Sequence, residues 1–389
     1  MLLVINLAFK NLMGGRLRTV LNILILSFAF VAILLYQGLI AGMNDQMTRA
    51  VIEEEVGGGQ FWVNSYDPYD PFKLDNAYGP LPSKLIAMVN EGQAEPILLR
   101  PATIFPQGRE QGVVLRGINP NQNILKMPTT VLSSEIELPL IIGKRMAKST
   151  GLKVGDTIMI RWRDKNGAFD AKKGTIVAVM GTIVQTIDRG QIWMSLQDLL
   201  EISNMEKEAT ILVLKYPHIS ESIEKWTYKS QKNLLQDVKS SVDAEKSFSI
   251  VMNIILLGLA LIAIFDSQMF AVFRRRKEIG TLIALGMTRA KVIALFTIEG
   301  ALNGVLAICA GFVWGLPLMR YMMNTGMSVY SAADDFGMAM PERLYASFSL
   351  QLILGSTLLI FLMVTIVSYL PTKKIAKLNP TDAIRGKVT

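Results

Sequence analysis

Few residues in this chain are equipped for covalent chemistry. It has one histidine, His218, next to Pro217, and one cysteine, Cys309, inside an apolar run. A lone imidazole without a nucleophile or an orienting acid has no catalytic partner set, and a single thiol closes no disulfide. Acids come in the clusters Glu53-Glu54-Glu55 and Asp334-Asp335 and read as solvated surface charge. Gly143-Lys144-Arg145 lacks both the upstream glycine and the following Ser or Thr of a phosphate loop, and no HExxH, CxxC or GxSxG occurs. The chain is expected to be no enzyme by itself, with no catalytic residue, resident metal or cofactor of its own.

Two acids have an unusual setting. Asp266 and Glu299 lie within long apolar runs, seven residues before Phe273 and eight after Lys291. A carboxylate at a bilayer centre costs about 2.5–3.5 kcal/mol on insertion scales, so such groups face protein or water. Neither has a His companion in the apolar runs, whose single Lys or Arg, Arg320, lies at the far end of the third. Both are therefore read as polar contacts between helices or across a dimer, in preference to a proton relay.

The densest charge is Arg274, Arg275, Arg276, Lys277, Arg289 and Lys291, opposed only by Glu278. Between the two basic groups, Ile279, Leu282, Ile283, Leu285 and Met287 recur at helical spacing, which predicts a short amphipathic helix over Glu278–Thr288. Two readings fit these residues equally: a docking element for a cytosolic partner, and a membrane-surface connector whose cations hold topology.

The elements around this segment define its setting. Of 389 residues 51% are hydrophobic and only 19% charged. Four runs reach the roughly 20 residues of helix that a bilayer needs: 20–43, 248–273, 292–322 and 350–370. The third holds Gly304, Gly311, Gly315 and Pro317, which predicts a kink or break at its outer end. Basic residues concentrate in 1–19 (an amphipathic lead-in helix), in 274–291 and in the tail 371–389. With four spans all three fall on one side, and Lys and Arg near span ends mark that side as cytoplasmic. The net charge of +8 is then a signal of topology and needs no nucleic-acid partner.

Residues 44–247 are left on the outer side, with a shorter outer loop at 323–349. The first span's helix is expected to continue through 44–55 until Gly57-Gly58-Gly59 ends it. The stretch 220–247, free of Pro and Gly up to Lys246, reads as a second polar stalk helix. Phe61–Asn64, a helix at Leu81–Asn90 and Pro96–Leu99 predict a βαβ unit, with Thr210–Lys215 as a late partner strand. Val113–Arg116, Gly155–Arg163, Thr175–Thr186 and Gln191–Leu196 predict a β-rich insertion at about 110–200, with a turn at Lys165-Asn166-Gly167. The expected fold class is membrane α plus an extracytoplasmic α+β domain. Four transmembrane helices carry a large discontinuous domain, a βαβ-type subdomain with a β-rich insertion, between the first and second.

These residues also carry a resemblance. R-R-K-E-I-G-T-L-I-A-L-G (Arg275–Gly286), with Glu299-Gly300 twelve residues on, resembles the signature of the FtsX-like permease family, which includes MacB efflux pumps and the LolC and LolE subunits of lipoprotein-releasing transporters. The A-F-K-N-L of Ala8–Leu12 with Arg16, Arg18 and Thr19 is similar to the lead-in of that family, and Pro371–Gly386 to its closing motif. GVVLRGIN (Gly112–Asn119) and LKVGDTI (Leu152–Ile158) resemble LolC and LolE lines. The resemblance implies an inner-membrane permease, paired with a second copy or a paralogue, and docked on a separate LolD-like ABC ATPase that would hold ATP and Mg. Arg274, Arg275, Arg276, Lys277, Glu278, Ile279, Leu282, Leu285 and Gly286 would form the coupling helix. The large domain would be periplasmic, and ATPase closure would be passed to it mechanically. The implied cargo is a lipoprotein or another amphiphile, with a periplasmic carrier or adaptor as a further partner. One departure is the hairpin Arg161–Gly174, short, charged and Pro-free where LolC has a longer Pro-containing hook. Efflux of amphiphiles in the manner of MacB, and FtsX-like control of a cell-wall hydrolase, are the alternatives.

Overall fold

The computed structural model describes Ala8 and residues 16–217, 222–236, 250–252, 254–255, 257–259, 261–262, 265–266, 269–270, 273, 276–328, 341 and 343–375. Two compact units result: Met1–Asn44, Val242–Ser328 and Arg343–Thr389 in the first, and Asp45–Ser241 with Val329–Glu342 in the second. His218, Asp334-Asp335, Arg274, Arg275 and most of the N-terminal lead-in and the tail lie outside the described residues.

Helix α1 runs Arg16–Val51 and passes into a π-turn, Ile52–Val56, that stops at Gly57, where φ is +60°. In the second unit β1 (Gly59–Val63) and β3 (Ala94–Ile104) flank helix α2 (Ser83–Asn90), with the two-residue β2 (Gly79–Pro80) before it. The βαβ expectation takes a split form. β10 (Ile211–Leu214) inserts between β1 and β3, antiparallel to both. β4 (Gln111–Ile118), β5 (Pro139–Gly143), β6 (Thr157–Arg163), β7 (Phe169–Met180) and β8 (Gln191–Ser195) supply the insertion. Short helices α3 (Lys144–Thr150), α4 (Gln185–Asp188) and α5 (Leu196–Ile202) lie between or after its strands, and β9 (Glu208–Ala209) pairs with β2.

With β11 (Trp226–Ser230), one sheet joins these parts in the order β11-β1-β10-β3-β4-β8-β5-β7-β6, and β6 pairs back onto β3. The six strands from β3 to β6 thus close into a barrel, and closure removes its sheet edges. The length of β3 makes this possible. Ala94–Ile97 pair with β10, Leu98–Ile104 with β4, and Ala102–Ile104 also with β6. Alternation sorts its side chains, with Leu98, Ala102 and Ile104 in one core with Ile158, Ile160 and Trp162 of β6, and Ile97 and Leu99 in another with Trp193 and Val213. Fully buried β5 serves both, through Leu140 and Ile142 on one side and Ile141 on the other.

Two expectations of this unit are corrected. The stretch 220–247 is not a helix throughout: Trp226–Ser230 is strand β11, paired with β1, followed by one turn, α6 (Gln231–Leu234). Trp226-Thr227-Tyr228 is β-favouring, and burying the indole at 1% exposure outweighs the absence of Pro and Gly. The strand expected over Thr175–Thr186 ends at Met180, and Gln185–Asp188 turns as α4.

In the first unit α7 (Arg276–Ala284), α8 (Arg289–Asn324) and α9 (Leu350–Ile375) follow, with a small β12–β13 pair (Met327–Ser328, Arg343–Leu344) after α8. Among the described residues three helices are long and apolar enough to cross a membrane: Thr19–Val56, Arg289–Asn324 and Leu350–Leu370. The expected span 248–273 is only partly described and shows a shorter apolar helix at Ile250–Leu259. The break expected near Pro317 is absent, since α8 continues to Asn324. Its glycines serve close packing instead. A Cβ on Gly311 would meet Phe30 at 2.6 Å, and one on Gly315 would meet Val31 at 2.7 Å, the small-residue contact that brings helices together in lipid.

Candidate functional site

The basic connector is a hairpin built on α8. Ile279, 2% exposed, packs with Val292, Leu295 and Phe296 of α8 and with Ala8, and Ile283 and Met287 join this cluster partly buried. Gly286, at φ +93°, makes the turn; its N–H donates to Ile283 O at 3.0 Å. The apolar stripe is therefore not one uniform outward face. Its Ile279–Ile283–Met287 part is spent on the chain itself, while Lys277, Gly286, Arg289 and Lys291 are exposed and Leu285 is 80% exposed. Arg276, Glu278 and Leu282 lie on α7.

The two intramembrane acids differ. Glu299 on α8 is 5% exposed and makes polar interactions within the chain, one turn from buried Asn303. Asp266 is exposed. The structure does not bring them to a common buried site.

A further site departs from the sequence expectation. Glu53-Glu54-Glu55 is not a solvated cluster; each carboxylate of the π-turn is held by side chains elsewhere in the second unit. Glu53 pairs with Lys126 Nζ at 3.1 Å, and its carbonyl accepts the Lys126 N–H at 2.7 Å. Glu54 accepts a hydrogen bond from Thr182 Oγ1. Glu55 meets Arg116 at 3.3 Å and accepts from Thr186 Oγ1 at 2.7 Å. Arg116 is itself buried on β4, 5.1 Å from the centre of the Trp193 ring. Gln60 closes the turn by donating to Glu55 O at 2.8 Å. A triple-acid run just ahead of Gly57-Gly58-Gly59, together with a lone Arg inside the apolar strand GVVLRGI, was the available signal. Only the tertiary structure pairs them, 61 residues apart.

A buried acid and an ion pair also sit within this unit. Glu95 on β3 is buried with one hydrogen bond, from Asn119 N–H at 3.2 Å, and burial pushes its carboxyl up to about 7. Arg145 and Asp188 pair at 3.2 Å, where a Cβ on Gly143 would meet Asp188 Cα at 2.5 Å. Among the described residues no group of His, Cys, Asp and Glu is arranged to hold a metal ion.

Residues 250–380 match the family model described as FtsX-like permease C-terminal. A LolC lipoprotein-releasing transmembrane protein of Neisseria meningitidis serogroup B is 24% identical over 58% of this chain and 60% of its own length. An uncharacterised ABC transporter permease of Methanocaldococcus jannaschii is 25% identical over 61% of this chain and 58% of its own. A macrolide export protein MacB of Yersinia pestis is 25% identical, over 39% of this chain and 21% of its own length. The chain thus spans about three fifths of the length of the first two relatives. The extracellular domain of the noncanonic ABC-type transporter YknZ from Gram-positive bacteria aligns with a TM-score of 0.25 at 11% identity, covering 40% of this chain and 80% of that one. Residues 250–380 are thus similar to an FtsX-like permease domain, and the chain as a whole is similar, at 21–25% identity, to ABC-transporter permeases of the LolC and MacB type.

Proposed function

We propose that the chain is the membrane subunit of an ATP-driven transporter of the inner membrane, with four spans, cytoplasmic termini and the second unit on the periplasmic side. The observation that carries the reading is the two-faced hairpin α7–α8. Its inner stripe anchors it to α8, so the exposed Leu285–Gly286 tip and the cations Lys277, Arg289 and Lys291 form a firm basic surface for a separate cytosolic ABC ATPase. A second copy or paralogue completes a pair of permeases. Motion of the ATPases passes along α1 to the π-turn, whose three carboxylates deliver it to the barrel.

For the cargo, we favour lipoprotein extraction from the inner membrane. The similarity to lipoprotein-releasing proteins reaches 71% of this chain, whereas that to MacB reaches 39%. The test is to purify the chain with its ATPase and supply ATP to proteoliposomes holding a labelled lipoprotein. ATP-dependent release is expected. Hydrolysis without release would overturn the cargo, and failure of the two proteins to co-purify would overturn the docking.

A further inference from the structure

The loop after β1 reads Asn64–Asn76, NSYDPYDPFKLDN, and is dense in aromatic residues. With β1 and the edge strand β11 it lines a cleft of about 660 Å³, within the roughly 300–1,000 Å³ of small-molecule sites. Phe72 is 93% exposed and Tyr69 76%, while Trp62 and Tyr66 pack edge to face at 5.0 Å. Clustered rings exposed to water mark an interaction site more often than a fold requirement. The loop that holds them is ordered by its own acids. Asp67 Oδ1 accepts the Tyr69 N–H at 3.0 Å, and Asp70 Oδ1 the Phe72 N–H at 3.1 Å, which caps a 3₁₀ turn.

Charge and polarity narrow the ligand. Lys73 is offset by Asp70 at 3.3 Å and Asp67 at 3.7 Å, and Lys229 lies 5.6 Å from the centre of the Trp62 ring. This near balance disfavours a strongly anionic guest, and the two ammonium groups disfavour a cation held by the rings. An acyl chain would strip water from Asn64, Asn76 and Thr227 without replacing their hydrogen bonds. Thr227 Oγ1 already donates to Asn64 Oδ1 at 2.7 Å, so the Asn64 amide offers N–H donors.

We propose that this cleft binds a neutral saccharide, its apolar ring faces stacked on Phe72 and Tyr69 and its hydroxyls bonded to Asn64, Asp67 and Asn76. The site is independent of the cargo and of the ATPase. The full chain in lipid nanodiscs, free of sugar-headed detergents, is titrated by calorimetry with chitotetraose and, separately, maltotetraose. Saturable binding of one of them is expected. Y69A/F72A should weaken it at least about tenfold, as should N64A alone, while F169A, an exposed ring outside the cleft, leaves it unchanged. Because both target rings are exposed, Y69A/F72A should unfold at the wild-type temperature. Saturable binding of neither sugar, or equal affinity in Y69A/F72A, overturns the proposal. Binding of an aromatic-rich extended peptide with neither sugar bound reassigns the cleft to a polypeptide.

Discussion

Glu95 sets a specific pH behaviour for the second unit. Its folded carboxyl titrates near 7 because burial disfavours the charge, against 4.5 for an ordinary glutamate. The fold therefore binds a proton there that the unfolded chain has released, and stability falls as pH rises from about 4.5 through about 7. E95Q keeps the acceptor for Asn119 N–H and removes the charge. Its stability advantage over wild type, read from thermal unfolding, should grow from near zero at pH 4 to at most about 3 kcal/mol at pH 8. A pH-independent difference would place the cause elsewhere. Arg116 makes the opposite case, a buried cation whose anionic partner stays behind. R116M should destabilise by about 3 kcal/mol, and adding E55Q should recover part of that loss. Strict additivity in the double variant would deny the pair.

Glycines decide packing among the helices. A Cβ on Gly42 of α1 would come within 1.8 Å of the Tyr345 carbonyl oxygen, whereas one on Gly355 of α9 would meet nothing within 4 Å. G42A should therefore cost about 1–3 kcal/mol or displace the chain around Ser347, which donates to Gly38 O at 2.8 Å. G355A should be neutral or slightly stabilising, by about 0.5–1 kcal/mol. Denaturation in detergent separates the two. The connector gives a matching pair. I279D should disrupt the packing of α7 on α8, while L285D should fold normally and lose the ATPase in co-purification. Retained association of L285D, together with retained association of a charge-reversed Arg275/Lys277 variant, would remove the docking role.

For the whole molecule, the proposed topology puts Phe72 and Leu285 on opposite sides of the membrane. In a C309S background, a membrane-impermeant maleimide should label F72C from outside and L285C only after the bilayer is opened. Labelling of both from one side would refute the four-span arrangement. The charges of the acid clamp reach the cleft through Tyr66. Tyr66 lines the cleft, its phenol is raised above the ordinary value chiefly by burial, and the charges of Arg116 and Glu55 also act on it.

How much was legible in the sequence followed the range of the interaction responsible. Apolar runs of span length, basic flanks and the 3.6-residue stripe of Ile279, Ile283 and Met287 are local patterns, as is the period-2 alternation of β6. Physical chemistry reads them from neighbours alone. The stripe did not reveal which part of itself would be consumed by α8, because that depends on Val292 and Phe296 folding back over it. Nor did Glu53-Glu54-Glu55 disclose its partners. An exposed carboxylate and a clamped one are the same residue until Arg116, Lys126 and Thr182 arrive from distant parts of the chain. The strand at Trp226–Ser230 was hidden for a similar reason, since an edge strand needs β1 beside it and a core for its indole. Membrane class and domain order are thus written along the chain, whereas the clamp, the barrel closure through β3 and the aromatic cleft exist only once sequence-distant groups share a site.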